Sequence, residues 1–102
     1  MQHTRIAVYK FKPGSADEVI AKAQAGLLSI YRAQPGFVAY GVVKTADDAG
    51  ISLSVWETGD QAQAAVQTAS TWVQSNIASL VESVQNHVGD LAFFSSAAAI
   101  GG

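Results

Sequence analysis

The stretch 12–37, KPGSADEVIAKAQAGLLSIYRAQPGF, decides the fold, because a proline-glycine pair stands near each of its ends. Proline fixes φ and lacks an amide hydrogen, and glycine adopts conformations that other residues avoid, so both pairs indicate turns. Between Pro13-Gly14 and Pro35-Gly36, apolar residues recur at helical spacing and predict one helix from Ser15 to Gln34. Ser15 and Glu18 have the spacing of a capping box at its start.

Segments with strand character lie on both sides of this stretch. Thr4 to Lys12 precedes it, and 37–44 and 51–57 follow it as a predicted hairpin around the polar turn 45–50. Apolar residues occupy both faces of these segments. This pattern is typical of strands that are covered on both sides.

The second half of the chain predicts another helix and a last strand. Asp60 and Gln63 have capping spacing, and an alanine-rich stretch follows to about Ala69. An apolar stripe from Val73 to Val88 then predicts a helix that continues to a cap at Gly89. Residues 91–95 are the predicted fourth strand.

The predicted order is β-α-β-β-α-β, which is the ferredoxin-like arrangement of the α+β class: a four-stranded antiparallel sheet with both helices on one face. With 102 residues the chain has room for one domain, predicted over 1–95, with a flexible tail over 96–102. Charged residues are 14% of the chain, well below the usual ~25%. Because the helices cover only one sheet face, we expect a homodimer through the other face.

Charge and composition exclude several classes of function. The net charge is −2 without a basic cluster, which argues against nucleic-acid binding. The chain has no cysteine, which excludes thiolate catalysis and cysteine-ligated metals. No apolar run approaches the length of a membrane span, and the N-terminus lacks a signal-like core, so we expect no membrane partner and a cytoplasmic location.

The turn and core residues resemble those of the antibiotic biosynthesis monooxygenase family, over about residues 4 to 95. The resemblance is carried by Lys12-Pro13-Gly14, Pro35-Gly36-Phe37, Tyr40, Asp47-Asp48 and Val55-Trp56-Glu57. It implies a dimeric α+β barrel with a pocket between sheet and helices in each subunit. It also implies oxidation of an aromatic or polyketide-like compound by O₂ without a metal or flavin, so neither cofactor nor metal is expected.

Other members of the family that this chain resembles degrade haem with a strand asparagine and a close tryptophan–histidine pair. This chain departs from that pattern. Its first strand has no asparagine, and His87 lies fifteen residues after Trp72, too far for their close tryptophan–histidine pair. Asp47-Asp48 indicates a turn rather than a metal site. Haem degradation is therefore not expected.

Four residues are candidates for a substrate site, each with a structural alternative. Trp72 is predicted either to line an aromatic pocket or, structurally, to anchor the core. Asn76 is predicted either to donate a hydrogen bond in that pocket or to face solvent. Tyr9 and Tyr40 carry hydroxyls that either bind substrate or pack in the dimer interface, and they are weak catalytic candidates together with Asn76. Apart from these four, Arg5 either binds an anionic oxygen or lies at a rim.

Other residues have structural interpretations, and the function stays open between two classes. Trp56 is predicted to pack in the core, and His87 to meet the dipole at a helix C-terminus. Small residues in mid-strand leave space either for a cavity under the helices or for close approach of a partner sheet: Ala7, Ala39, Gly41, Ser52 and Ser54. The alternative to a monooxygenase is a non-catalytic domain that binds a small hydrophobic or aromatic ligand or only dimerises.

Overall fold

The computed structural model describes residues 1–97. Its elements are β1 (His3–Phe11), a first helical unit, β2 (Phe37–Ala46), β3 (Ala49–Trp56), α3 (Gly59–Asn76) and β4 (Val81–Asp90). The first helical unit consists of α1 (Ala16–Lys22), a π-helical segment (Ala23–Leu27) and α2 (Leu28–Arg32). The strands form one antiparallel sheet in the order β2-β3-β1-β4. The α+β ferredoxin-like fold is thus confirmed.

Both proline-glycine pairs form turns, with φ of +76° at Gly14 and +80° at Gly36. Side chains rarely adopt such φ values, so glycine suits both positions. The surroundings of the two glycines differ. A Cβ at Gly14 would meet nothing within 4 Å, whereas a Cβ at Gly36 would overlap the side chain of Gln61. The second turn is therefore packed closely against the start of α3.

Backbone from the β2–β3 turn holds the start of the first helical unit. The predicted capping box of Ser15 and Glu18 is wrong, because the Ser15 side chain makes no capping hydrogen bond. Instead, the amide of Ala16 donates to the carbonyl of Asp47 at 3.0 Å. The amide of Phe11, at the end of β1, donates to the carbonyl of Asp48 at 2.7 Å. A tertiary contact thus replaces the local cap.

The capping pair of α3 lies two residues earlier than predicted. Thr58 is extended and precedes the helix, while Asp60 already lies in its first turn. The Gln61 amide donates to Thr58 Oγ1 at 3.3 Å, and the Thr58 amide donates to Gln61 Oε1 at 3.0 Å. The predicted cap of Asp60 with Gln63 is therefore wrong in position, although a capping box is present.

The largest correction concerns the region after α3. The helix ends at Asn76, and 81–90 forms β4 instead of continuing the helix to Gly89. Val84 and Val88 are four residues apart, a spacing that fits one face of a strand as well as one face of a helix. β-Branched residues favour the strand. The predicted strand 91–95 has no regular structure.

The two faces of the sheet are clearly different. The register places Ala7 beside Ser52, and Ser52 beside Val42, on the face covered by the helices. The opposite face, called the open face here, carries exposed apolar side chains, among them Ile6, Val8, Val43 and Leu53. The small residues divide between the two faces. Ala7, Ser52 and Ser54 are buried under the helices, while the register places Ala39 and Gly41 on the open face.

None of the helices in 1–97 is both long and apolar enough to cross a membrane. The core lies between the sheet and the helices, around Tyr31 and Trp56, both fully buried. The Trp56 ring meets Tyr31 and Phe37 edge to face, with centroid distances of 5.2 and 5.6 Å. Its indole N–H donates to Ser54 Oγ at 2.9 Å. The prediction that Trp56 is a packing residue is confirmed.

Candidate functional site

A cavity of ≈ 30 Å³ lies between the covered face of the sheet and the helices. Both helical units and the three strands β1 to β3 contribute to its walls, which are mainly apolar. The lining residues are Tyr9, Phe11, Val19, Ile20, Ala23, Leu27, Tyr40, Val42, Gly50, Ser52, Trp72, Val73 and Ile77. This volume holds a water molecule or two, and an aromatic ring needs more space.

Three hydroxyl groups interrupt the apolar lining: those of Tyr9, Tyr40 and Ser52. The hydroxyls of Tyr40 and Ser52 have no hydrogen-bond partner among residues 1–97. The Tyr9 oxygen accepts a hydrogen bond from Arg5 Nη2 at 3.3 Å, which leaves its proton free to donate. All three groups are therefore available to a polar atom of a ligand. Because both tyrosines lie under the helices, neither packs on the open face.

The cavity offers hydrogen-bond donors rather than a base. Burial, followed by the neighbouring Tyr31 and Tyr9, raises the pKa of Tyr40, so its phenol stays protonated at neutral pH. No carboxylate or imidazole is among the lining residues. A proton acceptor for catalysis would therefore have to be water or the substrate itself.

Arg5 is buried behind Tyr9, with a relative exposure of 2%. Its Nε and Nη2 donate to Asn86 Oδ1 at 2.9 and 2.6 Å, and its Nη1 donates to the Tyr31 hydroxyl at 3.1 Å. The Tyr31 hydroxyl in turn donates to the carbonyl of Ala65 at 3.2 Å. The rim position predicted as one alternative for Arg5 is wrong, since this strand residue faces the helices. Its guanidinium contacts Tyr9, one of the residues that line the cavity.

Trp72 stands between the cavity and an open groove on the outside of the helices. It lines both spaces, and its Nε1 would lie 3.0 Å from a Cβ built on Gly26 of the π-helical segment. The indole therefore packs on the one residue of that segment that lacks a side chain. Segments of π-helix are rare and are frequent at functional sites.

Asn76 lies in the outer groove rather than in the cavity. It shares this groove with Trp72 and with Ile30, and its side-chain amide donates to the Trp72 carbonyl at 2.9 Å. Asn76 thus contacts the backbone of Trp72 on the outside of α3. A role of Asn76 toward a substrate remains a prediction.

The two histidines lie away from the cavity. His87 is on β4 opposite Ile6, not at the predicted helix C-terminus, and His3 Nε2 lies 2.6 Å from Asp90 Oδ1. Within residues 1–97, no three His, Cys, Asp or Glu side chains are grouped closely enough to hold a metal ion.

Sequence reasoning did not identify the polar network of Arg5, Tyr31 and Asn86. Tyr31 was visible only as part of the apolar stripe of the helix, and Asn86 fell in a region predicted as helical. One signal was present: Arg5 is the only charged residue early in a strand that is otherwise suited to burial. A charge at such a position needs partners, which a single sequence does not name.

Solved structures with the same fold include several proteins of low sequence identity. A protein of unknown function from Nitrosomonas europaea, NE2512, superposes with a TM-score of 0.76 at 19% identity, over 96% of both chains. SnoaB from Streptomyces nogalater, described as a cofactor-independent oxygenase, gives a TM-score of 0.66 at 15% identity, over 99% of this chain and 98% of its own. At these identities the likeness concerns the fold alone.

Sequence comparison identifies the family directly. No curated protein sequence matches the chain significantly. The family model of antibiotic biosynthesis monooxygenases, however, matches residues 3–71, from the start of β1 into α3. Since this match covers more than half of the 102 residues, the chain belongs to the antibiotic biosynthesis monooxygenase family.

Proposed function

We propose that this protein is a cofactor-independent monooxygenase that oxidises an aromatic or polyketide-like small molecule in the cavity between sheet and helices. The observation that carries the proposal is the cavity lining: apolar and aromatic walls, with three hydroxyl-bearing residues among them, Tyr9, Tyr40 and Ser52. Family membership and the fold shared with SnoaB, a cofactor-independent oxygenase, add support. This lining suits a flat, electron-rich substrate with few oxygen atoms.

In the proposed reaction, the substrate supplies the electrons. A deprotonated enol or phenol reduces O₂; with an anthrone, one oxygen atom converts a CH₂ group to a carbonyl and the other leaves as water. The protein lowers the barrier by donating hydrogen bonds to the oxyanion. Tyr40 suits this role because its raised pKa keeps its proton in place, and Tyr9 because Arg5 already occupies its acceptor side.

Trp72 has the proposed role of stacking on the substrate ring, and Asn76 that of orienting an oxygen at the outer groove. The cavity must widen for a ring to enter. Since α1 and the π-helical segment supply one of its walls, outward movement of the first helical unit would create this space. The Trp72 side chain separates the cavity from the outer groove, so it also lies on the path between them.

The direct test is oxygen uptake with an anthrone as substrate, in air and under anaerobic conditions. We expect O₂-dependent formation of the quinone, and a loss of about 100-fold in kcat for Tyr40→Phe, as for other oxyanion donors. Ser79→Ala is the matched control, because it removes an exposed hydroxyl outside the cavity. No oxygen-dependent turnover across a panel of anthrones and related phenols would count against the enzyme.

A second candidate is a non-catalytic domain that binds a small aromatic ligand, and the lack of a base in the cavity lining favours it. Thermal-shift screening under nitrogen, followed by oxygen uptake on the ligands found, separates the two. Ligands that bind without oxygen uptake would favour the binding domain. If none binds, both candidates fail and a purely structural role remains.

We also propose that two chains form a homodimer through their open faces. The side chains of Val8 and Val43 are 41% and 60% exposed there, although both are apolar. The segment after β4 covers part of this face, since Leu91 and Phe94 line a groove together with Leu53. The remaining apolar surface suits a second sheet. Light scattering that gives a 10.6 kDa particle at micromolar concentration would exclude the dimer.

A further inference from the structure

A further groove, with a volume of ≈ 340 Å³, lies between α3 and β4. Its volume is within the range of small-molecule sites. Arg5, Tyr9 and Asn86 line it from the sheet, and Gln67, Ser70 and Gln74 line it from α3. Tyr9 and Val73 line both this groove and the smaller cavity, so the two spaces adjoin each other at these residues.

The guanidinium of Arg5 has no counter-ion within the described part of the chain. None of the ion pairs within 4.0 Å in residues 1–97 includes it, and its hydrogen-bond partners are an amide and two phenols. A buried charge is costly unless it is paired and hydrogen-bonded. The neutral oxygen atoms around Arg5 supply hydrogen bonds but no opposite charge. The charge of Arg5 is therefore left to act on whatever enters the groove.

Among the polar residues that line the groove from the sheet, Arg5, Asn86 and Tyr9 present hydrogen-bond donors to a ligand. Arg5 carries five N–H groups, of which four take part in the hydrogen bonds to Asn86, Tyr31 and Tyr9. Asn86 directs its oxygen to Arg5, because arginine cannot accept, and its NH₂ group has no partner among residues 1–97. The Tyr9 oxygen also accepts from Arg5 and keeps its own proton. A ligand at this place must supply acceptors.

We propose that this groove binds a small-molecule carboxylate, with the anion against Arg5, Asn86 and Tyr9. A carboxylate has acceptor atoms only, so it can accept hydrogen bonds from the remaining N–H of Arg5, the NH₂ group of Asn86 and the hydroxyl of Tyr9. Glu82 is the one acid that lines the groove, and its repulsion favours a ligand with a single negative charge. The inference concerns binding alone and holds whether or not the protein reacts with oxygen.

The carboxylate could belong to a small independent ligand or to a larger aromatic molecule. Both would use the same contacts to Arg5. They differ in what lies beside the anion, because an aromatic ring would also contact Tyr9 and Val73, at the boundary with the smaller cavity. Acetate, benzoate and 1-naphthoate are therefore the appropriate probes. If the affinity rises along this series, the ligand is an aromatic carboxylate. If the three affinities are equal, the ligand is a small independent carboxylate.

The test is an NMR titration of the ¹⁵N-labelled protein with benzoate, and with benzyl alcohol as its uncharged counterpart. We expect saturable shifts at Arg5, Tyr9 and Asn86 with benzoate, and at least ~10-fold weaker binding of the alcohol, as expected when a charged hydrogen bond is lost. This comparison uses the unaltered protein. Equal binding of the two probes, or no saturable shift with any carboxylate of the series, would overturn the proposal.

The variant Asn86→Asp sharpens the test, because it places a carboxylate of the chain itself beside Arg5. We expect benzoate affinity to fall at least ~10-fold and the melting temperature to rise. Gln63→Glu is the matched control: it adds the same charge on the exposed surface of α3, away from the groove, and should leave benzoate binding unchanged. Unchanged benzoate binding in Asn86→Asp, or an equal loss in both variants, would overturn the proposal.

Discussion

The two faces of the sheet come from the same four strands and are nevertheless built for different neighbours. The covered face carries aromatic rings in edge contacts, a buried arginine and hydroxyls around a small cavity. The open face carries exposed branched aliphatic side chains. Because alternate residues of one strand serve both faces, each strand must satisfy two sets of requirements at once. This difference supports the two proposals made above, that a small molecule binds on the covered side and that a second chain associates through the open face.

The covered face should be the one on which stability depends. Trp56→Ala removes the fully buried ring that contacts both Tyr31 and Phe37, and we expect a loss of about 3–5 kcal/mol in the free energy of unfolding. Val8→Ala on the open face should cost much less in the monomer, since that side chain is 41% exposed. Urea unfolding at low protein concentration measures both. If both variants lost a similar amount of unfolding free energy, stability would not depend mainly on the covered face.

Association should depend on the open face instead. Val8→Lys places a charge in the middle of that face on the central strand β1, and we expect the dimer to dissociate at least ~10-fold more readily. Ile30→Lys is the matched control, because Ile30 is equally exposed, at 42%, but lies on the helical side. Sedimentation velocity over a concentration series gives the comparison. A dimer that survives Val8→Lys but not Ile30→Lys would place the interface on the helices.

The smallest expected effect is a dependence of stability on alkaline pH that originates in the covered face. Burial raises the pKa of Tyr40 above the unfolded value of about 10, so the folded state favours the protonated phenol. This contribution is complete below about pH 10 and is lost as pH rises above it, by at most about 1.4 kcal/mol per pH unit. Tyr40→Phe should reduce the slope between pH 9.5 and 11 in urea unfolding. An unchanged slope would mean that Tyr40 does not titrate differently in the folded protein.

The sequence was a good guide to the covered face where turns and apolar spacing decide the structure. Pro13-Gly14, Pro35-Gly36 and the β2–β3 hairpin were predicted correctly because their signals are local. Residues 81–90 were predicted wrongly because Val84 and Val88 fit either a strand or a helix. Only the pairing of β4 with β1 removes this ambiguity, and such pairing is a tertiary contact.

The candidate site could be predicted only in part. Tyr9, Tyr40 and Trp72 were identified as aromatic or hydroxyl-bearing residues in regular elements, and all three line the cavity. The network around Arg5 could not be predicted, because its hydrogen bonds join residues 26 and 81 positions apart in sequence. The π-helical segment has no recognised sequence signal either. Its position against Trp72 follows from packing on Gly26.

The hydrogen bond from Ala16 to the carbonyl of Asp47 bears on the order in which the chain folds. The first helical unit has no side-chain cap of its own, and the carbonyl that replaces one is supplied by a hairpin made later in the sequence. Short isolated helices are marginal in water, so this helix should become stable only after the hairpin has formed. Pulse-labelling of amide hydrogens during refolding should then protect the hairpin before the helix. During synthesis on the ribosome, the N-terminal third of the chain would therefore stay without a stable helix until the second third has emerged.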